Sequence, residues 1–404
     1  MDYGAAPESS LEAHNWLEKH NYNFGNFING KWKSCKDHFD TINPAKNKVL
    51  ARIGQSSQAD IDAAVKAART AQKKWSAESD HKRARILYAI ARLLQKNSRL
   101  FAVLETLDNG KPIRESRDID IPLAQRHFYY HAGMAQLMKA ELPNRSPIGV
   151  CGQIIPWNFP LLMLSWKIAP AIAMGNAVVL KPAEYTSLTA LLFAELCISA
   201  GVPKGLINIV TGDGKVGEMI VNHKDINKIA FTGSTEVGKL IREKTAGSGK
   251  SLTLELGGKS PFVVFDDADL DSAIEGVVDA IWFNQGQVCC AGSRLLVHEA
   301  IAEKFYKKLK ARMKTLRLGN PLDKSIDMGA IIDKKQHDKI NRMVSQSNGK
   351  VYQADIPLPE EGCFFSPTLI TDLHTADPLM QEEIFGPVLV STTFRTPLEA
   401  IELS

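Results

Sequence analysis

A chain of 404 residues has room for two or three domains. Apolar residues make up 44 % and charged residues 23 %, the balance of a soluble globular protein rather than a disordered or membrane chain. A net charge of +4 leaves no electrostatic footprint for nucleic acid. Six cysteines, with no Cys-x-x-Cys or Cys/His cluster, point to neither a disulfide scaffold nor a zinc site. They fit a reducing compartment, the cytoplasm.

In chain order, the head Met1-Asp2-Tyr3-Gly4-Ala5 has no basic end and no apolar core, so a secretory leader is not expected. Up to about Asn47 the texture is mixed, with a hairpin-like piece at Phe27–Trp32. From Gln58 to Leu107 apolar residues recur at helical spacing, as at Ile61, Ala64, Val65 and Ala68, and another helix is expected from Asp118 past Tyr130. Strand and helix patterns then alternate. Strands are read at Ile148–Ile155, Ala177–Leu180, Leu206–Val210, Ile229–Phe231 and Leu252–Leu256, with helices between them. That pitch indicates a parallel sheet covered on both faces. The apolar run Pro160–Leu180 is broken by Lys167, Pro170 and Gly175-Asn176, so it reads as a buried helix and a strand, not a membrane span. After a boundary near Gly257-Gly258 the alternation restarts, with strands at Pro261–Phe265 and Leu295–Val297 and strand-like runs near Leu369 and Val388.

Several corners between these elements carry chemistry. Gly212-Asp213-Gly214-Lys215-Val216-Gly217 matches G-x-G-x-x-G, but so short a pattern, late in the series, is weak evidence for phosphate binding. Gly247–Ser251 resembles a P-loop tail without its leading glycine and reads as a solvated turn. Phe231-Thr232-Gly233-Ser234 is a strand, a small-residue corner and a helix start. It suits either a pyrophosphate or a plain serine cap. Lys181 and Glu184 follow a strand and suit ribose hydroxyls or a loop ion pair. Asn158, in Pro156-Trp157-Asn158-Phe159-Pro160, is either an oxyanion donor or a turn residue.

The stretch Leu254–Arg294 holds the central pair. Glu255 follows an apolar run into Gly257-Gly258, and Cys289-Cys290 follow Gly286. A thiol is a strong nucleophile and a carboxylate can take a proton from water, which suggests a thioester followed by hydrolysis. Buried structural cysteine is the competing reading.

Taken together, Pro-Trp-Asn-Phe-Pro, the lysine-to-glutamate segment, Phe-Thr-Gly-Ser, Leu-Glu-Leu-Gly-Gly-Lys-Ser, Gly-Gln-x-Cys and Glu-Ile-Phe-Gly-Pro resemble the NAD(P)-dependent aldehyde dehydrogenase superfamily, in order and near its spacing. The stretch Tyr3–Ser9 and Ile274–Asp279 are most similar to family-16 members. The resemblance implies an α/β fold with a Rossmann-like parallel-sheet cofactor domain (residues 1–126 and 148–257) and a second α/β catalytic domain (258–404). It implies Cys289 as nucleophile, Glu255 as general base, and Asn158 with the Cys289 N–H as oxyanion hole. NAD would lie on Ile154, Pro156, Trp157, Lys181, Glu184, Gly233, Ser234, Glu383 and Phe385, with Gln336 and Lys339 also where family members meet the cofactor. Phe159, Leu162, Trp166 and Phe283 would line an aldehyde tunnel. A small-molecule aldehyde is the implied partner and no metal is implied. A catalytically weak binding or scaffold protein on the same fold is the alternative.

Two departures from the family stand out. Residues 127–147 correspond to a shortened oligomerisation hairpin, which leaves a homodimer open and counts against the usual tetramer. The catalytic domain is expected to be incomplete at its C-terminal end, Ser404.

Overall fold

Three sheets organise the computed structural model, which describes residues 4–404. Met1-Asp2-Tyr3, used above for the leader and family-16 readings, lie outside them. The largest sheet has seven strands in the spatial order Ser251–Glu255, Lys228–Thr232, Val150–Ile154, Ala177–Lys181, Ile207–Ile209, Asn26–Ile28 and Lys31–Lys33. The first five are parallel. The last two form the antiparallel hairpin, with Phe27 opposite Trp32. Val150–Ile154 and Ala177–Lys181 are buried at every position, as strands covered by helices on both faces must be.

Chain order reverses within this sheet. From Val150–Ile154 the chain steps one way to Ala177–Lys181 and Ile207–Ile209. It then returns to the other side at Lys228–Thr232. The crevice beyond the carboxyl ends of Val150–Ile154 and Lys228–Thr232 is therefore the sheet's switch point, where open α/β sheets bind ligands. The motifs Pro156–Pro160 and Gly233-Ser234 both begin there.

The second sheet runs Pro261–Val264, Arg294–His298, Val388–Phe394, Thr368–Thr371 and Lys350–Gln353, the last antiparallel. Its own core gathers Ile274, Val277, Ile281, Leu295, Phe305 and Leu309. The link between the two sheets is Leu256–Ser260. A third, three-stranded sheet is built from Asn23–Phe24, Lys48–Gln55 and Asp37–Asn43. Two of its strands, and the helix Leu11–Lys19, lie in the stretch whose polar sequence showed no clear period.

The segment 127–147, expected to be shortened by most of a strand pair relative to the family's hairpin, carries no hairpin. A helix spans Ile121–Glu141, and no strand falls between 127 and 147. Phe128, Ala132, Ala135 and Met138 keep helical spacing and are buried, so the pattern continues the helix to its end. The apolar run Pro160–Leu180 is a helix, Pro160–Ala173, followed by a strand. Among the described residues no helix is long and apolar enough to cross a membrane.

Candidate active site

The turn that leads to Cys289 has uncommon backbone. The helix Leu270–Trp282 ends in a short 3₁₀ turn, Phe283–Gly286. Asn284 (φ 46°, ψ 37°) and Gln285 (φ 54°, ψ 31°) are left-handed, and so is Gly286 (φ 71°). For a non-glycine residue that conformation costs about 1–2 kcal/mol. A Cβ on Gly286 would lie 2.1 Å from the Gly386 carbonyl oxygen, so no larger residue fits.

Buried hydrogen bonds hold this turn. The Asn284 N–H donates to Glu115 Oε2 at 3.0 Å, and the Asn284 side-chain amide donates to the Asn158 carbonyl at 3.0 Å. Gln285 Nε2 donates to the Ala330 carbonyl (3.1 Å), and its Oε1 accepts from the Gly329 N–H (3.1 Å). Gln287 Oε1 accepts from the Ile332 N–H at 3.0 Å. Cys289 and Cys290 then emerge exposed.

Asn158 is buried, and its Nδ2 donates to the Gln287 carbonyl at 2.8 Å, two residues before Cys289. An amide has two N–H donors, so one remains for a ligand. Burial raises the Cys289 thiol above its ordinary value, and neighbouring Cys290 and the Glu383 carboxylate raise it further.

The Glu383 carboxylate is one of the charges that act on Cys289. It packs against Gly257, where a Cβ would come within 2.1 Å of Glu383 Oε2, and it accepts from the Gly258 N–H at 3.4 Å. Burial raises its carboxyl, against the Gly258 bond and the charges of Lys339 and Lys259. Glu255 sits at the end of the edge strand, in a groove of about 520 Å³ shared with Trp166, Lys167, Gln153 and Met138. Lys167 donates to Thr232 Oγ1 at 2.6 Å. Burial pushes its ammonium down to about 8 while the charge of Glu255 opposes the fall. Glu255 thus has an amine for a neighbour that sequence reading did not single out.

Of the residues assigned to the tunnel, Phe159 and Phe283 stack with centroids 6.0 Å apart, and Leu162 is buried. Trp166 is 48 % exposed and lines the groove that holds Glu255.

The cofactor candidates cluster at the carboxyl ends of the strands. Lys181 is buried and donates to the carbonyls of Gly212 (2.6 Å) and Pro182 (2.9 Å), with Glu184 Oε2 at 3.5 Å. Burial lowers its ammonium and Glu184 opposes this. The Gly212 corner therefore serves to fix Lys181. Glu184 stays partly open to solvent. Ser234 caps the helix Thr235–Thr245, its Oγ accepting from the Val237 N–H at 3.3 Å, while the Gly233 N–H donates to the Glu255 carbonyl. Ile154 ends the strand at the switch point and Pro156 opens the loop after it. Trp157 stands edge-on to Phe385, with centroids 5.2 Å apart. Phe385 is left-handed (φ 58°), and Gln336 Nε2 donates to its carbonyl at 2.9 Å. Trp157, Tyr185, Gln336 and Lys339 line a cleft of about 620 Å³. An open carboxylate, a capped helix start and an aromatic pair at one switch point suit the hydroxyls, phosphates and ring of a dinucleotide. Among the described residues no group of three His, Cys, Asp or Glu could hold a metal ion.

Comparison with known proteins shows the family. The model of the "Aldehyde dehydrogenase family" matches residues 32–404. An aldehyde dehydrogenase of Alternaria alternata is 42 % identical over 399 residues, covering 94 % of this chain and 80 % of the relative. The mitochondrial aldehyde dehydrogenase of Rattus norvegicus is 41 % identical over 395 residues, covering 93 % and 76 %. An NAD⁺ complex of aldehyde dehydrogenase from Bacillus cereus superposes with a TM-score of 0.92 at 39 % identity, covering 99 % of this chain and 84 % of that one. The chain belongs to the aldehyde dehydrogenase family.

Proposed function

We propose that this protein oxidises an aldehyde to a carboxylic acid with NAD, through a covalent intermediate on Cys289. The observation that carries the proposal is the exposed Cys289 at the end of a turn clamped by Asn158, which keeps one amide proton free. Thiolate attack on the carbonyl carbon forms a C–S bond and puts negative charge on oxygen. The free Asn158 proton and the Cys289 N–H are the donors for that charge, each such donor being worth roughly 10²–10³ in rate. NAD, when bound, supplies the acceptor for the hydride that leaves the former carbonyl carbon. The product on the protein is a thioester. Glu255 takes a proton from water, hydroxide adds to the thioester carbon, and the C–S bond breaks to release the acid. The thiol proton passes to water before attack, because the thiolate is the nucleophilic form.

Glu184 accepts hydrogen bonds from free ribose hydroxyls and repels a 2′-phosphate, which favours NAD over NADP. The stacked Phe159 and Phe283 favour an apolar aldehyde substituent. The six free cysteines fit a cytoplasmic setting. The test is NADH formation with a simple aliphatic aldehyde, comparing wild type with Cys289→Ser. Equal rates in the two would end the proposal. NAD binding without turnover in the wild type would support the scaffold reading instead.

A further inference from the structure

Four ionisable side chains outside the groups already assigned are buried together: Glu105, Lys111, Glu115 and Asp120. Lys111 Nζ donates to Asp120 Oδ2 at 2.6 Å, so three carboxyl groups share one ammonium. Burial holds Glu105 and Glu115 up to about 8, which leaves both largely protonated near neutrality. Such a cluster is a poor way to stabilise a core, because apolar residues of the same volume do as well or better.

Three of the four, Glu115, Glu105 and Lys111, each reach the candidate site at one atom, while Asp120 only pairs with Lys111. Glu115 Oε2 accepts the N–H of Asn284, the first left-handed residue of the nucleophile turn. Glu105 Oε2 accepts the Leu161 N–H in the first turn of the helix Pro160–Ala173, which carries Leu162 and Trp166. Lys111 Nζ lies 4.1 Å from the centroid of the Phe159 ring. An apolar replacement fills the space but offers the Asn284 N–H no acceptor. Packing does not replace it either, because a cleft of about 410 Å³, lined by Glu115, Ile119, Trp282 and Phe283, flanks the turn.

We propose that Glu115 is a positioning residue for the nucleophile. Its carboxyl oxygen holds the Asn284 amide and so sets the path by which the turn presents Cys289. Lys111 and Glu105 register that path against Phe159 and the helix of the substrate wall. This rests on the reading of Cys289 as nucleophile.

The experiment compares wild type, Glu115→Ala and Glu115→Gln, each shown to be folded by its thermal melt. Glutamine keeps an acceptor oxygen at the same reach, and alanine has none. The readouts are kcat, KM for NAD, and the rate at which iodoacetamide alkylates Cys289, followed by peptide mapping. Misplacing the turn lowers kcat in Glu115→Ala by about tenfold or more, with KM for NAD held within about threefold. The alkylation rate changes by about threefold or more in the alanine variant, and Glu115→Gln restores both readouts to within about threefold of wild type. Equal losses in the two variants, a loss confined to KM for NAD, or unchanged alkylation would each overturn the proposal. Where Glu115→Ala does not fold, Glu115→Asp decides, because it withdraws the carboxyl by one methylene from Asn284. Wild-type kcat and alkylation in that variant refute the idea. Alkylation needs no aldehyde oxidation, so a wild type that fails to turn over aldehydes sinks the functional reading and leaves this test standing.

Discussion

Replacing Asn158 by alanine separates a structural strut from a catalytic donor. Its Nδ2 gives one proton to the buried Gln287 carbonyl at 2.8 Å. Deleting a partner of a buried polar group costs about 1–3 kcal/mol. Here the loss falls at the lower end, because Asn284 Nδ2 also reaches that carbonyl, at 3.4 Å. The bond from Asn284 to the Asn158 carbonyl involves main chain and survives the change. Stability should therefore drop by about 1–2 kcal/mol in urea unfolding. If the second amide proton meets the developing oxyanion, kcat should fall roughly 10²–10³-fold, equivalent to about 2.7–4 kcal/mol and more than the stability loss. The assay is NADH formation at saturating aldehyde and NAD, run well below the melting temperature. A variant that loses the expected stability yet keeps kcat within about threefold would show that Asn158 only braces the turn, and the oxyanion assignment would fail.

Three further outcomes follow from the same contacts. Gly286→Ala must take a left-handed φ and place its Cβ 2.1 Å from the Gly386 oxygen. Strain and overpacking together should remove about 2–5 kcal/mol, seen as a lowered urea midpoint and lost turnover, and near-normal stability would contradict this geometry of the turn. Glu184→Gln should raise KM for NAD with little change in kcat and should narrow the preference over NADP. An unchanged ratio of the two cofactors' kcat/KM would refute the ribose assignment. Glu115 has a folded pKa near 8, raised from 4.5 by burial. Its stabilising contribution is therefore complete below about pH 4.5 and lost as pH rises through about 8. Thermal melts across that window should show wild type losing stability and Glu115→Gln losing less, and parallel curves would refute the assignment.

Much of the first sheet was legible because buried parallel strands are apolar runs bounded by glycine and helix starts. Val150–Ile154 and Ala177–Lys181 follow that rule at every position. The early strands Asp37–Asn43 and Lys48–Gln55 did not, since their burial alternates irregularly and a register shift falls between Thr41 and Ile42. In the segment 127–147 the spacing at Phe128, Ala132 and Ala135 is helical, and the helix runs on to Glu141. In the candidate site, chemistry-bearing residues next to glycine corners were visible as sequence. Their partners were not, because Lys167 lies in a stretch that otherwise reads as helix, Glu115 falls between two expected helices, and neither carries a motif. A buried charge reveals itself only when its neighbours from distant segments are known.

The turn before Cys289 shows why those partners matter. Two left-handed non-glycine residues in succession are unfavourable alone, so the segment Asn284–Gly286 has no local reason to hold its shape. Its anchors come from widely separated parts of the chain: Glu115, Asn158, Gly329-Ala330 and Ile332. Two of these belong to segments before or beside the first sheet, and the others lead into the helix Lys334–Ser345, whose Gln336 fixes Phe385. Two of the anchors, Glu115 and Asn158, come from the first-sheet side of the chain, so those contacts to the Cys289 turn depend on the docking of the two sheets. A variant that loosens the link at Leu256–Ser260 should lose turnover before it loses either core, because strain at Asn284 and Gln285 is released first where the anchors part. Hydrogen exchange that opens the Asn284 and Gln287 amides ahead of Val178 and Leu295 would bear this out. Exchange of all four at one rate would mean that the turn is as rigid as the cores and draws its shape from something other than docking.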